Sequence, residues 1–118
     1  MKTYLRTYLI AQGIGTTANI FIDCMPDTPD TAISINEYAG KDGLILEERR
    51  LQIVCRDASY TAAETKALAI RALLSNSNPE LSVTLNSIPY YFKSIQRPFL
   101  LNRDERQRCK FVCNYKVV

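Results

Sequence analysis

From Lys2 to Gln12 the positions Leu5, Tyr8, Leu9 and Gln12 recur at helical spacing, and Gly13 follows as a stop. The stretch predicts a short amphipathic helix. The segment "ANIFIDCM" (18–25) is rich in β-branched and aromatic residues and is closed by Pro26, so it reads as a strand running into the turn "MPDTPD". "TAISINEY" (31–38) sets Ile33 and Ile35, continued by Glu37 or Tyr38, against Ala32, Ser34 and Asn36, the period of a strand with one buried face. A glycine-flanked excursion follows, "AGKDGLILEE", in which Leu44, Ile45 and Leu46 form an apolar patch.

The second half repeats this contrast of periods. "RRLQIVCRD" (49–57) alternates Leu51, Ile53 and Cys55 with Arg50, Gln52, Val54 and Arg56, which predicts another half-buried strand. Thr61-Ala-Ala-Glu64 then has capping-box spacing, and Ala63, Ala67, Ile70 and Leu74 lie on one stripe of strong helix formers. "SNSNPE" ends this helix, "LSVTLN" (81–86) reads as a short strand, and an aromatic strand is expected around Tyr90 to Ile95. The last strand, Cys109 to Val117, puts Cys109, Phe111, Cys113, Tyr115 and Val117 on one face and Lys110, Val112, Asn114 and Lys116 on the other. The order is helix, three strands, helix, three strands. It predicts an α+β fold, a mixed and mainly antiparallel sheet with two helices packed on one face, in a single domain over 1–118.

Composition narrows the function more than the fold. The 118 residues are 47% hydrophobic and 23% charged, average for a globular chain, and no apolar run approaches the ~18 residues that span a bilayer. Arg6, Thr7 and Gln12 interrupt the opening segment, so a soluble chain without a visible export signal or membrane partner is expected. Four cysteines stand without any histidine or CxxC pair, which argues against zinc. They read as small buried hydrophobes, and Cys109 and Cys113 are too widely spaced on one strand for an easy disulfide.

Catalytic groups are scarce. The absence of histidine removes the commonest general base, and Asp23 beside Cys24 is the only close nucleophile pairing. Gly13-Ile-Gly15 lacks both the preceding strand and the third glycine of a dinucleotide site. No enzyme activity, cofactor or metal is therefore expected. "PYYFKS" has the aromatics of a base-stacking strip but few flanking basic residues, and aromatic strand residues more simply fill a sheet face.

The charge distribution supplies the candidate site. Fifteen basic and twelve acidic residues give a net charge of +3, and the stretch Arg97 to Lys110, with five basic and two acidic residues, alone carries an excess of +3. Within it Arg103, Asp104, Glu105, Arg106 and Arg108 crowd between two apolar arms, as the tip of a hairpin. Arginine outnumbers lysine four to one there, and arginine is favoured at protein interfaces where lysine is depleted. The tip reads as a contact surface, with Leu44 to Leu46 as a second.

The pattern Gln96, Pro98, Phe99, Leu101, Asp104, Arg108, Phe111, Asn114 and Tyr115 resembles the C-terminal hairpin of phage tail terminators, also called minor capsid proteins. "YLRTYLIAQGIG", "MPDTPDTAISINEYAG" and "LQIVCRDASYTAAETKALAIRALL" extend the resemblance over nearly the whole chain. The resemblance implies a structural virion protein, assembled in the host bacterial cytoplasm, that caps the tail tube as a homo-hexameric ring and ends its polymerisation. Implied partners are further copies of the chain, the major tail tube protein and the head connector or stopper, with DNA passing through the lumen. A head-completion or stopper protein, or a small monomeric binding module, is the alternative. Two different surfaces per subunit are needed to close such a ring, and the tip and the apolar excursion are the candidates.

Overall fold

The computed structural model describes residues 1–39, 49–75 and 82–117. Helix α1 (Lys2–Ala11) buries Leu5 and Leu9. Its end is a Schellman closure: the Gly13 amide donates to the Ile10 carbonyl and the Ile14 amide to the Leu9 carbonyl, both at 3.0 Å. Gly13 sits at φ 78°, the left-handed region in which a side chain is strained.

The main sheet runs β1 (Ile20–Ile22), β2 (Ala32–Ala39), β3 (Arg49–Asp57), β8 (Cys109–Val117), with two short strands along the far edge of β8. These are β6 (Phe92–Ser94) and β7 (Phe99–Arg103), each antiparallel to β8. Among the described residues only β1 and β2 pair in parallel; β2–β3 and β3–β8 are antiparallel. The fold is the expected α+β sheet, with β4 (Val83–Leu85) and β5 (Ile88–Tyr90) forming a separate two-stranded hairpin.

That hairpin corrects the expected strand count after the second helix. Asn86 and Ser87 take φ 50° and 64°, the paired positive angles of a tight two-residue turn, so residues 83–90 fold back on themselves. The aromatic run is thereby divided between β5 and β6. Phe92 turns into the core at 5% exposure while Tyr91 stays exposed, so the run offers no continuous stacking strip.

Helix α2 (Tyr60–Leu74) lies against β3 and β8 and buries Ala63, Ala67, Ile70 and Leu74, the predicted stripe. Small alanines let the helix approach the strands closely. The start differs from expectation: Ser59, not Thr61, is the cap, its Oγ accepting from the Ala62 amide at 3.3 Å. The earlier start brings the Tyr60 ring edge-on to Phe111, with centroids 5.0 Å apart.

One face of the sheet forms the core with both helices: Ile33, Ile35, Leu51, Ile53, Cys55, Phe111, Cys113 and Tyr115 are all buried there. Burying each such side chain contributes about 1.5–3 kcal/mol. The opposite face was expected to be solvated, but Ala32, Ser34, Val54, Arg56 and Val112 on it are buried too. Cys55, Cys109 and Cys113 are buried as expected, whereas Cys24 is exposed. Burial pushes the Cys55 thiol up to about 12, which keeps it protonated and inert at neutral pH. Among the described residues no helix is long and apolar enough to cross a membrane.

Candidate interaction site

A parallel strand pair cannot be joined by a tight turn, so the chain between β1 and β2 must travel back along the sheet before pairing. Residues 23–31 make that crossover without strand or helix of their own, and their carbonyls need donors from elsewhere. Two arginines supply them. Arg56 on β3 donates from Nε to the Asp30 carbonyl at 3.2 Å and from Nη2 to the Pro29 carbonyl. Arg108 donates from Nη1 to the Asp27 carbonyl and to Asp30 Oδ1, and from Nη2 to Asp27 Oδ1 at 3.0 Å.

Arg108 comes from the charged tip between β7 and β8. The tip closes through the Gln107 amide donating to the Asp104 carbonyl at 2.9 Å, with Gln107 at φ 62°. Asp104 organises the loop from within: Oδ1 accepts from the Arg106 and Arg108 amides at 3.0 and 2.9 Å, and Oδ2 accepts from Arg108 Nε at 2.7 Å. Burial alone would raise this carboxyl, but the bonds from Arg108 and Arg106 outweigh it and hold the group below its ordinary 3.8.

The five tip residues thus divide into two sets. Asp104 and Arg108 face inward; the Arg108 side chain is 4% exposed and all its nitrogens are taken by carboxylates or a carbonyl of the same chain. Arg103 and Glu105 are exposed, and Arg106 is half exposed while pairing with Asp27 at 2.8 Å. Leu44, Ile45 and Leu46 lie outside the described residues.

Between the crossover and the tip lies a polar cleft of about 330 Å³, reached by Met25 and Asp27 from one side and by Glu105, Arg106 and Lys110 from the other. Arg56, 2% exposed, also lines it. Burial, with the neighbouring Arg108 charge, lowers the Arg56 pKa from its ordinary value. Sequence reading placed Arg56 on a solvent face and passed over Asp27 and Asp30. Their shared role depends on a pairing of β1 with β2 that the local pattern does not announce.

A further surface lies along β7. All five of its residues are exposed, among them Phe99, Leu100 and Leu101, and Leu101 falls at a bulge in the pairing with β8. An edge strand carrying apolar side chains and open backbone groups is a template for another chain.

Among the described residues, the buried arginines Arg56 and Arg108 hold the crossover, while a charged tip and an apolar edge strand stay open. Residues 8–118 match the family described as bacteriophage tail terminator protein. The chain belongs to that family, and is a structural tail component of a phage-like virion. A chain in the solved virion of a native gene transfer agent (GTA) particle is similar, with a TM-score of 0.49 and 19% identity over 98% of this chain and 89% of that one. Curated proteins give no match.

Proposed function

We propose that the protein caps the tail tube as a homo-hexameric ring, ends polymerisation of the tube protein and forms the tail side of the head–tail junction. The observation that carries this reading is the family match over residues 8–118. The exposed edge of β7 supports it, because a ring needs a heterologous contact and an apolar edge strand, paired on one side with β8, offers half of one. Arg103, Glu105 and Arg106 form the outward part of the tip and contact a neighbouring subunit, the tube protein or the connector. Asp104 and Arg108 hold the tip in the shape that makes this contact.

The division of the tip determines which variants are informative. Reversing Arg108 would leave Asp104 and Asp30 without their cation, leave Asp27 with Arg106 alone, and disturb the fold itself. Phe99→Asp with Leu101→Asp changes exposed positions only and leaves the circular dichroism spectrum unchanged. In particles complemented with this double variant, uncapped tubes of irregular length are expected; normal tails would overturn the β7 edge as the ring contact.

A further inference from the structure

Arg56 and Lys110 are direct cross-strand partners on β3 and β8. Like charges at that position destabilise a sheet, and a buried guanidinium is costly without a carboxylate partner. Among the described residues Arg56 bonds to backbone carbonyls alone, and no ion pair joins it or Lys110. The nearby carboxylates Asp104, Asp27 and Asp30 are already taken up by Arg108 and Arg106. Arg56 and Lys110 are therefore two cations without an ion pair among the described residues, in a cleft whose lining of four basic and three acidic residues is net positive.

We propose that this cleft receives an acidic side chain of a partner protein, its carboxylate pairing with Arg56 and Lys110. A planar guanidinium beside an ammonium suits a carboxylate, and about 330 Å³ admits one side chain. Nucleic acid fits less well. Asp27 and Asp30, 66% and 62% exposed at the side chain, and the exposed Glu105 repel a run of phosphates while a single carboxylate passes between them.

The inference rests on reading the tip as a contact surface, but it is tested on the isolated chain, so its failure leaves the ring untouched and a missing ring leaves it standing. A blocked pentapeptide with central glutamates, titrated through the ~1 mM range, is followed by ¹⁵N NMR at Arg56 Nε–Hε and the Lys110 amide. Saturable shifts are expected with this peptide and none with its glutamine counterpart. Lys110→Gln should weaken binding at least about tenfold yet raise the melting temperature of the free chain by about 1–5 °C, since it removes the like-charge pair. Equal shifts with the glutamine peptide, tighter binding of inorganic phosphate or oligothymidylate, or a Lys110→Gln chain that melts lower would each overturn the proposal.

Discussion

Asp104 is held as a carboxylate by three hydrogen bonds from its own loop, and this makes the tip sensitive to acid. Above the ordinary value of 3.8 the group is charged in folded and unfolded chains alike, and its bonds contribute in full. As the pH falls below 3.8 the unfolded chain takes up the proton first, so the contribution is lost down to the lower folded-state value. Asp104→Asn should therefore unfold at lower urea at pH 7 and show a flatter loss of stability below about pH 4. Identical pH dependence in the two chains would contradict the role given to Asp104. The crowding of charge at the tip was plain in the sequence, but the inward turn of Arg108 was not. Its partners Asp27 and Asp30 are distant along the chain and reach it only through the crossover.

At the scale of the element, strongly periodic segments were legible and boundaries were set by contacts from afar. The α2 stripe is buried as its spacing required, because four small or aliphatic residues in helical register have one way to face a sheet. The capping box at Thr61 fits its motif, yet Ser59 caps the helix, since Asp57 Oδ1 accepts from the Ser59 amide and Tyr60 is drawn onto Phe111. Ser59→Ala should cost about 1 kcal/mol and Thr61→Ala much less, by urea denaturation. The reverse order would restore the motif reading. Asn86-Ser87 is a weaker turn signal than Asn-Gly, and so the β4–β5 hairpin was hidden inside a run of good strand residues.

At the scale of the molecule, the order of helices and strands carried the fold class, and the resemblance carried the family. What it left unread was the second buried face of the sheet and, on it, Arg56, which with Arg108 holds the crossover that the parallel β1–β2 pair requires. The same arginines place the tip and its cleft at one corner of the sheet, beside the open β7 edge. Under the proposed function, a chain assembled through those surfaces would limit tube growth by covering the tube's last ring. Tube length in particles made without this chain measures that directly by electron microscopy: tubes that overrun the normal length and carry no heads are predicted, whereas tails of normal length joined to heads would contradict the capping role.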